Sequence, residues 1–213
     1  MANKFDLKCY TTGPFEENVY LLTGKSGKEA ALFDPGFDSE FILDEIRREG
    51  IELIYVINTH CHVDHAARNA YFLKHTEAKL VVHPSEKGYL SSLKEQGYFF
   101  GVRAENSPAP DIELEEGVPV LLDGIDLKVI HTPGHTPGGT CFYFEGVLIS
   151  GDTLFAGSIG RTDLPGGSFE QLISSIKEKL FSLPDETVVY PGHGPPTTIG
   201  AEKKYNPFLS SEA

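Results

Sequence analysis

Short apolar runs punctuated by glycine and proline dominate the chain, and most are too short to be helices. Residues 4–10 alternate polar and apolar positions, the period-two signature of a half-buried strand. Residues 18–23 and 30–33 predict two more strands, with turns at Gly13-Pro14 and over residues 24–27. The period then changes. Ile42, Leu43 and Ile46 form one apolar stripe of a helix that Asp38 or Ser39 would cap. Residues 53–57 read as a buried strand, a helix is drawn over residues 66–74, and residues 79–83 make another short strand. A helix is expected near residues 86–95, then a loop in which Pro108-Ala109-Pro110 is a local linker.

Asp123-Gly124 separates apolar runs at 118–122 and 126–130, a strong hairpin signal. Glu145-Gly146 joins a second pair, 140–144 and 147–150. Ser168 opens a capping box with Gln171, ahead of Phe169, Leu172, Ile173, Ile176 and Leu180 at helical spacing. A final strand is predicted at 187–190. Many short strands with helices in both halves predict an α+β fold, two sheets face to face with helices outside.

At 213 residues the chain can bury a sizeable core, so one domain over residues 1–213 is expected. The net charge of −13 disfavours a nucleic-acid partner, which would want a basic face. No apolar run approaches the roughly 20 residues of a membrane span. Residues 1–10 contain Lys4, Asp6 and Lys8 and no apolar centre, so they do not read as a secretory signal. Cys9, Cys61 and Cys141 form no disulfide framework and fit a reducing, cytoplasmic setting. Cys141 falls in a predicted strand and is expected in the core.

His60-Cys61-His62-Val63-Asp64-His65 puts four metal-binding side chains within six positions, directly after a predicted strand. His135, Asp152 and His193 also follow predicted strands and sit beside glycines, which let backbone pass close to a crowded centre. Imidazole with carboxylate suits zinc, iron or manganese better than calcium or magnesium. Cys61 lies between two candidate ligands whose side chains use the inward direction, so it is not expected to bind. His75 and His83 are read as structural, and His131, beside the Pro-Gly turn, either as structural or as supporting a ligand.

His60, His62, Asp64, His65, His135, Asp152 and His193 together resemble the metallo-β-lactamase superfamily pattern, in family order, within a match over residues 10–208. The resemblance implies a four-layer αββα sandwich with the site at one edge of the two sheets. It implies one metal on His60, His62 and His135, a second on Asp64, His65 and His193, and Asp152 between them. Two zinc ions are expected, with iron or manganese as alternatives in either position. The nucleophile is then a hydroxide rather than a side chain, oriented by Asp64 as the catalytic residue. Asp34, in Phe33-Asp34-Pro35-Gly36, resembles the family's buried Asp beside the metal loop and is expected to hold a ligand or its neighbour.

Ser150-Gly151-Asp152-Thr153-Leu154-Phe155, Gly160-Arg161-Thr162-Asp163 and the tail at 191–208 resemble the short glyoxalase II-like (hydroxyacylglutathione hydrolase-like) branch. The implied reaction is hydrolysis of a thioester such as S-lactoylglutathione. Arg161 would meet a substrate carboxylate, or else brace its loop with Asp163. Two departures stand out. Twenty residues follow His193, so the C-terminal helical domain of full-length glyoxalase II is not expected. Ala67-Arg68-Asn69 replaces the family's Gly-Gly-Asn and is expected to put a charge near the entrance. His60-Cys61-His62 and residues 160–163 also resemble persulfide dioxygenases, which would place one ferrous ion on His60, His135 and Asp152. The aromatic segment 89–100 is expected to pack in the core, with pocket lining or a subunit contact as the alternatives. A secreted β-lactamase, a ribonuclease, a flavin-linked diiron protein and a binding module that had lost its ligands all fit less well.

Overall fold

Every residue of β2 (Glu17–Thr23) is buried, because its two faces serve different cores. Val19 and Leu21 pack towards helices, while Tyr20 and Leu22 face a second sheet. The same division repeats in β3 (Glu29–Phe33), with Ala30 and Leu32 on one side and Ala31 and Phe33 on the other. A strand covered on both faces reads as a continuous apolar run. The structure, a computed structural model, describes residues 5–209.

The first sheet runs β1-β2-β3-β4-β5-β6, with β1 at Asp6–Thr12, β4 at Glu52–Ile57, β5 at Lys79–Val82 and β6 at Ile112–Glu113. From β3 to β6 the pairs are parallel, so each step needs a crossover. These crossovers carry α1 (Phe41–Glu49), α2 (Val63–Ala66), α3 (Asn69–His75), α4 (Lys87–Leu90) and α5 (Leu93–Phe100).

The second half supplies β7 (Val120–Leu122), β8 (Ile125–His131), β9 (Thr140–Phe144) and β10 (Val147–Gly151). A small hairpin, β11 (Leu154–Phe155) with β12 (Ser158–Ile159), and the helix α6 (Phe169–Ser174) follow. Then come β13 (Val188–Pro191), β14 (Thr197–Thr198) and α7 (Ile199–Tyr205). The second sheet has the order β14-β13-β10-β9-β8-β7. Phe33 and Phe142 meet edge to face at 5.3 Å between the sheets. Leu172, Ile176 and Ile199 cover the outer face of the second sheet, against Cys141, Leu148 and Val189. The layers are therefore helix, sheet, sheet, helix, as expected. No helix among the described residues is long and apolar enough to cross a membrane.

Several local expectations need correction. The helix drawn over 66–74 is two pieces, because the Arg68 N–H leaves the helical ladder and donates to Pro35 O. The helix near 86–95 also divides. Ser92 Oγ donates to Gly88 O and Tyr89 O, and such local bonds compete with a continuing helix. Neither Asp38 nor Ser39 caps α1; Ser39 Oγ instead donates to Gly36 O. The run at 118–122 becomes strand only from Val120, because the Val118 N–H closes a turn onto Glu115 O. The first strand starts at Asp6, and Lys4 lies outside the described residues. Two-residue strands such as β6 and β14 are too short to show a period in sequence.

Candidate metal centre

Four loops meet where parallel strands of the two sheets end. The first follows β4 and is pinned from below: Asn58 Nδ2 donates to His65 O, and Asn69 Nδ2 donates to Asn58 Oδ1. The second follows β8 and carries His135; it is held by Thr132 N–H to Gly139 O and by Ser168 N–H to Gly134 O. The third follows β10 and carries Asp152. The fourth follows β13 and carries His193. The sheets are stitched together at this edge, where Tyr20 Oη donates to Pro191 O at 2.6 Å and Asn18 N–H donates to Gly192 O at 2.8 Å. Gly192 is required by close approach: a Cβ there would lie 2.3 Å from Asp152 Oδ1 and 2.6 Å from His65 Cε1.

The seven side chains named from sequence come together as two triads and a shared carboxylate. His60, His62 and His135 offer ligand atoms within one small volume, and so do Asp64, His65 and His193. In the first triad His135 Nε2 lies 3.1 Å from His60 Nε2 and 2.9 Å from His62 Nδ1. In the second, His193 Nε2 lies 3.3 Å from both His65 Nε2 and Asp64 Oδ2. Asp152 faces both, with Oδ1 3.4 Å from His65 Nε2 and Oδ2 3.5 Å from His135 Nε2.

Hydrogen bonding behind the rings tests whether this set suits a cation. His135 Nδ1 is 2.7 Å from Arg161 O, which can only accept, so the ring proton is on Nδ1 and Nε2 presents a lone pair. Thr59 donates both its N–H and its hydroxyl to Asp34, at 2.7 Å each. The Thr59 oxygen is then free to accept from His60 Nδ1 at 3.2 Å, so His60 Nε2 also presents a lone pair. Two lone pairs face each other with no proton between them. Asp152 Oδ1 is buried with no hydrogen-bond partner. This is the donor set a divalent ion satisfies.

The charges divide in the same way. Burial, reinforced by the neighbouring imidazoles, holds His60 well below the usual range, and His62 is pushed down to about 3. Burial also lowers His135. Neutral imidazole is the form that binds metal. His65 goes the other way: burial opposes its charge, but Asp152 and Asp64 raise it well above the usual range. Burial resists the Asp152 charge, yet His65 holds that carboxyl well below normal.

A family model for the metallo-beta-lactamase superfamily matches residues 12–193. The chain belongs to that superfamily. It is 38% identical over 203 residues to hydroxyacylglutathione hydrolase GloC of Haemophilus influenzae, covering 93% of this chain and 95% of that one. Among solved structures, BLEG-1 B3 metallo-beta-lactamase superposes with a TM-score of 0.90 at 36% identity, over 97% of this chain and all of that one. TTHA1623 in a di-iron-bound form gives 0.86 at 38% identity, over 95% of this chain and 100% of that one. ETHE1 from Myxococcus xanthus gives 0.80 at 26% identity, over 95% and 83%.

The superfamily's αββα sandwich leaves a pocket of about 410 Å³ above the triads. Arg161 lines it, but both its Nε and Nη2 donate to Asp163 at 2.8 Å, so the loop brace expected from sequence is formed. Arg68 does not line it; that guanidinium pairs with Glu40 and lies over the Phe37 ring. Asp34 reaches two rings, His60 through Thr59 and His65 directly, with Oδ2 3.2 Å from Nδ1. The aromatic segment is core only at its start, where Tyr89 packs against the core; at its end Phe100 lines the pocket and Tyr98 and Phe99 are exposed, because α5 buries Leu93 and Gly97 instead. Cys61 is buried and its thiol is pushed up by burial, away from the thiolate a metal needs.

Two carboxylates were missed in sequence. Glu86 is fully buried and accepts the Cys61 N–H and the Gly138 N–H at 2.8 Å each, tying the loop of His60 and His62 to the loop of His135. Glu17 lies behind the second triad, its Oε1 3.6 Å from His65 Nδ1, with neither oxygen hydrogen-bonded. Nothing in the spacing of either residue distinguishes it from a surface acid.

Proposed function

We propose that this superfamily hydrolase is a cytoplasmic, binuclear zinc thioesterase acting on hydroxyacylglutathiones of the S-lactoylglutathione kind. The observation that carries this reading is the second triad. Asp64, His65 and His193 are assembled as fully as His60, His62 and His135, with Asp152 reaching both. When bound there, two divalent ions would provide a water of low pKa and polarise the thioester carbonyl.

The chain's own residues do the rest. His60, His62 and His135 would hold one ion, Asp64, His65 and His193 the other, and Asp152 both. Asp64 is the more open of the two candidate carboxylate ligands, 19% exposed against 12% for Asp152, and would orient the attacking water. Arg161 stands on the rim for a carboxylate of the thiol. In the reaction the water gives one proton to solvent, a C–O bond forms, the C–S bond breaks, and the second proton passes to the departing thiolate, leaving a carboxylate and a thiol. Apart from Arg161, every titratable lining side chain among the described residues belongs to the triads or is Asp152. That suits a thioester. A thiolate, with a parent pKa of about 8.5, leaves without a dedicated acid, whereas an amine does not.

One observation favours a second reading, a mononuclear iron persulfide dioxygenase: His60, His135 and Asp152 also converge as two imidazoles and a carboxylate. Metal analysis with paired assays separates the two. About two zinc ions per chain with hydrolysis of S-lactoylglutathione supports the thioesterase. One iron with oxygen uptake driven by glutathione persulfide overturns it.

A further inference from the structure

The pocket has a polar end and an aromatic end, and they lie over different triads. Arg161 belongs to the His135 side, since its carbonyl receives the His135 ring proton. Three phenylalanines belong to the His193 side. Phe155 lies 6.3 Å from the His193 ring. Phe15 precedes by two residues Glu17, whose backbone pairs with that of His193. Phe100 completes the wall, edge to face with Phe15 at 6.0 Å. All three line the pocket, and Phe100 remains 38% exposed although it is a large apolar ring. Apart from the triad imidazoles, Arg161 is the one basic side chain of the lining among the described residues, with its Nε and Nη2 already donating to Asp163.

A lactoyl group makes poor use of such a wall. It ends in a single methyl, while three phenylalanine rings line that part of the pocket. A ring cluster of one exposed and two half-buried phenylalanines beside the triads gains most by removing an apolar group of comparable size from water.

We infer that the site selects hydroxyacyl thioesters whose acyl group carries an aryl or branched-alkyl substituent, held among Phe15, Phe100 and Phe155, with the anionic thiol end towards Arg161. This rests on the thioesterase reading above and names its acyl half. The three rings come from segments far apart in sequence: the β1–β2 turn, the end of α5 and β11. They act together as a specificity wall, and the metal ligands below do not discriminate between acyl groups.

Turnover ratios measured on one enzyme sample test this, because metal loading and the folded fraction cancel. Wild type is expected to show kcat/KM for S-mandeloylglutathione at least about tenfold above that for S-lactoylglutathione. In Phe100→Ala and Phe15→Ala the ratio should fall to about two or less. A wild-type ratio at or below one, or a ratio that survives both substitutions, overturns the inference. Binding of the thioethers S-hexylglutathione and S-methylglutathione to the metal-loaded protein gives an arm that needs no hydrolysis. The hexyl compound should bind about tenfold tighter in wild type and lose that advantage in both variants; equal affinities in wild type overturn the wall. Absence of turnover with every thioester would sink the hydrolase reading, while this binding comparison would still decide whether the wall exists.

Discussion

The two triads share Asp152 but are made of different materials. The first is three imidazoles, nearly sealed from solvent and turned by uncharged partners, Arg161 O and the Thr59 hydroxyl. The second includes a carboxylate, leaves His193 partly open at 29%, and is backed by Asp34 and Glu17. Three neutral ligands leave a cation's charge intact for polarising a carbonyl, whereas a carboxylate removes a unit of it. With an ion in each, the first triad would be the stronger electrophilic position. The second is the more open one and the closer to the aromatic wall.

Breaking the shared group should have the largest effect. Asp152→Ala is expected to lower kcat/KM and metal content together, by more than the roughly 10–100-fold that outer partners of a metal site cost. Elemental analysis and kinetics on the same sample would show it, and full metal with full activity would refute the shared role. Gly192→Ala should strike the second triad harder than the first, because its new Cβ collides with His65 Cε1 of that triad as well as with the shared Asp152 Oδ1. If two ions bind, chelator competition is expected to show a loss of about 10²-fold in affinity at the second triad and a smaller loss at the first. Glu86→Gln should weaken the first triad instead, by about tenfold, since the amide keeps one acceptor and must turn its NH₂ towards a backbone N–H. Loss of the same ion in both variants would erase the distinction between the triads.

That contrast was half legible in sequence. His60 to His65, His135, Asp152 and His193 announce themselves because imidazoles clustered after strands are rare. Glu86 and Glu17 do not, because an acid shows its role only when burial and two facing N–H groups are known. The two facing sheets with helices outside could be read from the order of short strands and helices, and β2 and β3, with their apolar runs at 19–22 and 30–33, are indeed covered on both faces. The break after α2 could not, since it depends on Pro35 O, more than thirty positions away, accepting the Arg68 N–H. Phe100 was assigned to the core because helical spacing alone does not tell which face of α5 is buried.

The smallest expected effect concerns the strand that bears the His135 loop. His83 stacks on His131 at 4.2 Å, and His131 Nε2 donates to Pro137 O beside that loop. Burial, with His131 next to it, lowers His83 to about 4. An unfolded imidazole titrates near 6.5, so the unfolded chain binds more protons between these values. Stability from this group is present above about pH 6.5 and is lost as pH falls towards 4. Thermal melts at pH 7, 6 and 5 should show His83→Gln shedding part of that loss, about 1–2 °C because the ring is half exposed. An unchanged pH slope would assign the acid sensitivity elsewhere.

The stitching of β2 to Gly192 also carries a consequence for the order of assembly. The first triad is complete in the chain at residue 135, but His193 must travel to a histidine 128 positions earlier. Contacts of such separation form late, after the loop between them has closed. A nascent chain would therefore own a three-imidazole pocket well before it owned a two-centre one. Catalytic competence would arrive only when β13 slides in beside β10, which makes the docking of that one late strand the step that switches the protein on.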